Sequence, residues 1–530
     1  MASAFIIVIL GVAVVGVAYL YRMLLPTPLL NGIPYDRDYL HRPFGDAFAV
    51  KSQGQRTHEP SASVFSLCRK LGSPIVQLLL TSLPGTHPAI ILDDPREIED
   101  ILLRRNREFD RSPMTTELFD KVLPKSTLAQ LTTPQLKAQK RLWSDVMHPD
   151  FLRRAVAPNL QTAAEELVQL WTVKAELSEE PFEVSADFQS TALDAIWVAV
   201  LGDRIGVLRH EIAKARGEKA SEETAKLVEI VRFAVEEGSG IINQGIGSVW
   251  PALTYFFLSL TPSFRKFRRV GHDEVQKIMK RACERFYRLS ETSTSTGDED
   301  EHDRCAMDFV LRREIMKAKK EGRPVDPTND PTMIDELWLM LLAGFPTSAE
   351  ISEADIPLLD ATIEETVRFS ATASITSRRA LVDTQVLGYH IPKGATVIMN
   401  LRVNKQPLDV DESLRSETSR AAQAKRTRGG FEGPSGRDLE QFEPRRWLAQ
   451  DATGKEVYDA YALPSLNFGG GFRGCFGKRL AYLEMRIVVA TLMLNFEFLP
   501  LPEKMAGLEA WEEVFRKPVT AYVKLRVLEG

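Results

Sequence analysis

Cysteine is scarce in this chain. Its 530 residues hold four, Cys68, Cys283, Cys305 and Cys475, scattered along the sequence. They offer no disulfide framework, and the folded part suits a reducing compartment. No second Cys or His lies within eighty residues of Cys475 on either side, which excludes a zinc site of closely spaced thiols and imidazoles. An excess of charge is missing too. With a net charge of −5 and a pI near 6.0, the chain lacks the strongly basic balance of a nucleic-acid-binding protein, and no nucleic acid is expected as a partner.

Charge of either sign is absent from Ala2 to Leu20, a run long enough at about 1.5 Å per residue to cross a bilayer core. No Lys or Arg precedes it, so the basic start of a cleaved signal peptide is lacking. Arg22 and Arg37 follow, and the positive-inside rule puts the rest of the chain in the cytosol. Residues 1–22 therefore read as a single transmembrane anchor in contact with lipid, 23–60 as a stiff entry with Pro26, Pro28 and Pro34, and 61–530 as the folded domain. Its 44% apolar and 26% charged content supplies ample core.

The most informative stretch is Phe468 to Gly477, Phe-Gly-Gly-Gly-Phe-Arg-Gly-Cys-Phe-Gly, which runs straight into a helical pattern from Lys478 to about Asn495. A P-loop needs Gly five residues before its Gly-Lys pair and Ser or Thr after it; Phe472 and Arg479 stand there instead. A lone Cys at a helix start is favoured as a thiolate by the helix dipole and backbone N–H groups, with Arg473 adding positive charge. Such a thiolate suits a cofactor satisfied by one protein ligand, with haem iron the leading candidate.

Phe468, Gly471, Arg473, Cys475 and Gly477 together reproduce F-x-x-G-x-R-x-C-x-G, and in this the chain resembles the cytochrome P-450 superfamily, in the style of its eukaryotic microsomal members, fungal ones of secondary metabolism in particular. Two further motifs agree. Glu365 and Arg368 form E-x-x-R on a helix expected from Leu358 to Phe369, and Phe442-Glu443-Pro444-Arg445-Arg446-Trp447 supplies the later segment whose Arg446 joins them as a structural third partner. The resemblance implies a mainly α fold with a minor β-region and a haem b (iron protoporphyrin IX) held by Cys475. It also implies an apolar small-molecule substrate, an NADPH-dependent flavoprotein reductase as electron donor, and an endoplasmic reticulum membrane location. For the haem propionates it points to Arg378, with Arg379 as alternative, and to Lys140, where the family usually carries W-x-x-x-R and this chain has Leu136 and Lys140 beside Arg141.

Elsewhere the pattern predicts strands at Ile75–Leu80 and Ala89–Leu92 around the turn Leu83-Pro84-Gly85, and a helix over Pro95–Arg105. Residues 110–133 read as turn-rich and, by resemblance, as a pocket wall. Trp250 to Leu260 is apolar and suits either a membrane surface or a core. An acidic loop is expected over 290–303 and a solvent loop over 409–436.

The family's oxygen-side helix carries A-G-x-(D/E)-T-(T/S), whose acid and alcohol relay protons. Ala343-Gly344-Phe345-Pro346-Thr347-Ser348 keeps the alcohol as Thr347, the catalytic candidate, but Pro346 stands in the acid's place and can relay nothing. Only 17 residues separate Thr347 from Glu365, too few for the two helical segments the family places there, so a segment is expected to be missing. The second reading is therefore a haem-binding protein with impaired or no monooxygenase activity.

Overall fold

The computed structural model describes residues 2–26, 30–80, 88–202, 204–219, 222–246, 248, 251–292, 305–322, 327–344, 356–426 and 429–528. They divide into two compact units: Met1–Met114, Asp360–Gly474 and Ala510–Lys517 form the first, and Thr115–Leu359, Cys475–Glu509 and Pro518–Gly530 the second.

The first unit is built on a five-stranded sheet in the order Ile75–Leu78, Ala89–Leu92, Thr396–Asn400, Ile375–Ala380, Phe109–Arg111. Ile75–Leu78 and Ala89–Leu92 read as near-continuous apolar runs because every residue in them is buried. Gln77 is the exception, and its side chain accepts the Leu30 N–H at 2.7 Å. Ala89 pairs with Thr396 in parallel, whereas Ile375 faces Asn400 and Phe109 faces Ala380 in antiparallel registers. Helix Pro95–Leu103 starts where Asp94 accepts the Glu97 N–H at 2.9 Å and proline occupies the first turn. Its apolar face, Ile98, Ile101 and Leu102, joins the sheet residues Ile75, Ile90 and Val397 in one core.

The second unit is helical. Ala157–Leu177 packs against Lys478–Asn495, Ser185–Leu201 and Val207–Ala215. Trp171 is wholly buried, donates its indole N–H to Asp187 at 3.0 Å, and meets the rings of Phe182, Phe188, Phe496 and Phe498. Asp194 accepts the N–H groups of Gly206, Val207 and Leu208 at 2.8–3.0 Å. It thus caps helix Val207–Ala215 from a neighbouring helix, satisfying donors no intrahelical carbonyl reaches.

The mainly α reading with a minor β-region holds, as do the strands at 75–78 and 89–92. Three expectations change. The stretch 110–133 is less turn-rich than its sequence suggests: it begins within strand Phe109–Arg111 and carries helix Pro113–Asp120, nucleated where proline costs no hydrogen bond. Residues 409–436 are not a solvent loop but include helix Glu417–Ala424, capped by Ser416, whose hydroxyl accepts the Ser419 N–H at 3.0 Å. Composition hid this because Arg415 and Arg426 are buried against carboxylates rather than solvated. Helix Pro262–Thr292 runs into the segment expected to be an acidic loop; 293–303, Trp250 and the Leu83-Pro84-Gly85 turn lie outside the described residues.

Helix Ala2–Leu24 forms as expected, and its window Ile6–Leu24, of mean hydropathy 2.2, has none of its surface buried. Helix Pro251–Ser259 leaves Leu253, Phe256 and Phe257 exposed while Tyr255 is buried.

Candidate active site

Cys475 is the exposed thiol of the four; Cys68, Cys283 and Cys305 are buried. It precedes helix Lys478–Asn495, whose N-cap is Gly477. Enough protein surrounds the sulfur that desolvation pushes its thiol above the ordinary value. Hydrogen bonds from the Gly477 and Lys478 N–H groups and the charges of Lys140 and Lys478 oppose that shift. These donors and charges favour a sulfur that carries negative charge, the form in which a thiol ligates a metal ion. No described residue lies within 4 Å of where a Cβ at Gly477 would project. Lys140, on helix Pro134–Trp143, is thus brought to the sulfur's side, whereas Arg141 is exposed.

Glycines hold the other part of the motif in shape within the first unit. A Cβ on Gly471, whose φ is +61°, would come within 2.5 Å of the Leu102 carbonyl oxygen, and one on Gly470 within 2.6 Å of Leu103 Cδ2. The loop backbone therefore rests directly on the end of helix Pro95–Leu103. Phe468 is half-buried beside them. Arg473 donates from Nε to Asp110 at 3.2 Å, both side chains nearly inaccessible.

Arg378 shares that environment. Burial pushes its guanidinium down to about 10, the Arg473 charge pushes the same way, and Asp110 opposes them. Its Nη1 bonds only the Thr376 hydroxyl at 3.2 Å and the Ser377 carbonyl at 2.9 Å. Among the described residues no carboxylate lies within ion-pair distance of it. A guanidinium buried without such a partner is costly unless an anion joins it. The carboxylates of a haem fit that need. Arg379, the next residue of the strand, is less buried than Arg378, as alternation along a strand requires.

Glu365, Arg368 and Arg446 converge. Arg368 forks onto Glu365 with both bonds at 2.7 Å, and Arg446 Nε reaches the same carboxylate at 3.0 Å. Two donors the sequence did not single out complete it, the Trp447 indole at 2.9 Å and the Glu443 N–H at 2.8 Å. Other guanidinium protons go to carbonyls of Val403, Leu439, Ser435 and Arg437 at 2.6–2.8 Å and of Gln441 and Asp438 at 3.0–3.2 Å. Burial pushes the Glu365 carboxyl up, but the Arg368 fork and these donors carry it below its ordinary value.

Sequence reasoning missed Asp110 as the partner of Arg473. The signal was available in Phe109-Asp110-Arg111, where an acid stands on a short strand between an apolar and a basic residue. Thr347 and Pro346 lie outside the described residues; helix Pro331–Gly344 leads up to them. On that helix Glu336 is buried, accepts from Thr127 N–H and hydroxyl at 2.9 Å and from Gln139 at 3.0 Å, and is pushed up by burial.

The cytochrome P-450 family model matches residues 44–353, 350–405 and 438–525, leaving 406–437 uncovered. A cytochrome P-450 monooxygenase of Pestalotiopsis microspora is 29% identical over 581 aligned positions, covering 98% of each chain. Another from Fusarium sporotrichioides is 29% identical over 97% of each. A third, from Penicillium rubens, is 27% identical over 96% of this chain and 94% of its own. A crystal structure of a cytochrome P-450 superposes with a TM-score of 0.63 at 17% identity, covering 95% of this chain and all of that one, a likeness of fold.

Proposed function

The chain belongs to the cytochrome P-450 family, and from that premise we propose that it is a membrane-anchored haem-thiolate monooxygenase acting on an apolar small molecule with electrons from an NADPH-dependent flavoprotein reductase. When bound, haem b would supply the iron redox chemistry of inserting one oxygen atom into a substrate. Cys475 serves as the iron's protein ligand, its thiolate held by the Gly477 and Lys478 N–H groups and favoured by Lys140 and Lys478. Arg378 and Lys140 take the propionates, and Arg473, Phe468 and Gly477 shape the loop. Glu365, Arg368 and Arg446 fix the segment leading into that loop without touching a reacting atom. Thr347 is the proton-relaying alcohol in this reading.

The observation that carries the proposal is Arg378, a buried guanidinium with no carboxylate of the described residues within ion-pair distance, on the same unit as the glycine loop that leads into the exposed thiol of Cys475. Purified full-length protein, reduced under carbon monoxide, should show the red-shifted Soret band of a thiolate-ligated haem. A preparation that is folded but takes up no haem would overturn the reading.

Two observations favour the second reading, a haem-binding member with impaired turnover. The first two segments of the family match, 44–353 and 350–405, overlap at 350–353, and the alignment with the Pestalotiopsis relative spans 581 positions against a chain of 530. Both fit a segment missing after Thr347. Turnover of the haem-loaded protein with a reductase separates the two: a thiolate band without NADPH-dependent oxidation of any apolar substrate supports impairment.

Helix Ala2–Leu24 is the anchor in this proposal, with the exposed Leu253, Phe256 and Phe257 as a second apolar contact. Deleting residues 1–21 should move most of the protein from the membrane pellet to the supernatant, with a remainder released only by detergent. A truncated chain pelleting as completely as the full one would count against the N-terminal helix as main anchor.

A further inference from the structure

Residues 406–437, the stretch the family pattern does not cover, hold five polar connections to one short helix. Arg415 forks onto Asp94 at 2.8 and 2.9 Å, and Arg96 forks onto Glu412 at 2.6 and 2.9 Å. Arg426 reaches Glu99 at 2.6 Å, and the hydroxyls of Ser416 and Thr418 donate to Asp100 at 2.7 and 2.9 Å. Asp94, Glu97, Glu99 and Asp100 make the start and outer face of helix Pro95–Leu103 strongly acidic. Asp94, Glu97 and Asp100 are buried there, and both Glu97 oxygens lack a hydrogen bond, with Arg415 the nearest cation at 3.7 Å. A solvated loop would not bury Arg415 and Arg426; this one does, with 4% and 6% of their side chains exposed.

The far end of the same helix is what the cysteine loop rests on. Leu102 and Leu103 leave no room for a Cβ on Gly471 or Gly470, and the strand that follows carries Asp110, the partner of Arg473. Residues 95–111 thus form a cradle that touches the loop at 470–471 and again at 473. The insertion grips the cradle from the opposite end. Close-packed backbone against backbone transmits displacement rather than absorbing it.

We propose that the 406–437 insertion is a clasp that positions the cysteine loop, with Arg415 its principal positioning residue, acting through helix Pro95–Leu103. This rests on the reading of Cys475 as the haem ligand. Supports behind a metal ligand govern how firmly the ligand is held, and losing one costs roughly 10- to 100-fold in affinity or activity. The clasp's loss is therefore read as a looser thiolate, not merely a less stable fold.

The test uses full-length, haem-loaded protein and follows the thiolate Soret band of the reduced carbonyl complex over time, well below the unfolding temperature, with far-ultraviolet circular dichroism as a check on folding. In Arg415→Met the band should convert to that of a thiol-ligated or ligand-free haem about tenfold faster than in the parent, at the lower end of that range. Arg415→Lys, which keeps charge but loses the fork, should recover part of the difference. Arg402→Met is the control, breaking a somewhat more exposed pair with Glu59 elsewhere in the unit; it should lower thermal stability without hastening the conversion. If Arg415→Met yields no holoprotein, Arg426→Gln gives the answer. Its partner Glu99 keeps Arg104 at 3.0 Å, so the change is milder and should give a smaller acceleration. A band as long-lived in the clasp variants as in the parent, or an equal acceleration in Arg402→Met, overturns the clasp while leaving the ligand reading intact. A parent protein with no thiolate band overturns both.

Discussion

The Cys475→Ala variant is expected to lose the thiolate Soret band altogether and to oxidise substrate no faster than haem free in solution. The three remaining thiols cannot stand in. Cys68, Cys283 and Cys305 are buried, and burial pushes Cys305 up to about 12 and Cys68 higher still, so neither of these forms a thiolate near neutral pH. Removing an outer support of a metal ligand costs roughly 10- to 100-fold, and removing the ligand itself must exceed that. Haem content and helical structure should be reduced far less than activity, since the arginine pair at Arg378 and Arg473 is untouched. A surviving thiolate band in this variant would show that another residue ligates the iron.

Glu365→Ala should have the largest effect on folding. The substitution leaves Arg368 and Arg446 buried, 2% and 4% exposed, with no carboxylate between them. Breaking a buried pair in this way costs about 3–5 kcal/mol, a large part of the roughly 5–15 kcal/mol that holds a domain together. Little or no holoprotein should accumulate, and what does should unfold at a lower urea concentration. Glu365→Gln keeps the shape and one acceptor and should be milder. The two proteins should also differ in acid. Because the folded carboxyl of Glu365 lies below its ordinary value of 4.5, its contribution is complete above that value and fades as pH falls toward the lower folded one. The parent should therefore lose stability over that acid interval more steeply than Glu365→Gln. Parallel acid limbs, or full-yield Glu365→Ala, would mean the carboxylate does not hold the network.

What the sequence made legible here was whatever depends on a few residues at fixed spacing. Cys475 at a helix start, the helix under Glu365 and Arg368, and the strands Ile75–Leu78 and Ala89–Leu92 each follow from local pattern, and each is present. What it left obscure depends on partners remote in the chain. Arg415 reads as one more surface arginine until Asp94, 321 residues away, is folded against it. Asp110 reads as a turn former until Arg473 arrives. Trp447 reads as part of a motif whose role is an arginine, although its indole N–H holds the same carboxylate. Spacing reveals helix faces and caps because they are local; charge satisfaction in a buried network is not, and composition alone counted the 409–436 arginines as solvated.

The strand order of the five-stranded sheet bears on how the chain comes off the ribosome. Ala89–Leu92 lies between Ile75–Leu78 and Thr396–Asn400, so one of its edges closes early, whereas the other waits 307 residues, from Ala89 to Thr396. At about 5–20 residues per second that wait is roughly 15–60 s. Throughout it an apolar hairpin with an open hydrogen-bonding edge is exposed beside a growing helical segment, the kind of nascent species that aggregates or engages a chaperone. Contacts this distant also make for slow folding. Yield of the intact protein in a foreign host should consequently respond to translation speed and temperature more than to any single surface residue, and a message cut short before Thr396 leaves the sheet's central pairing unmade.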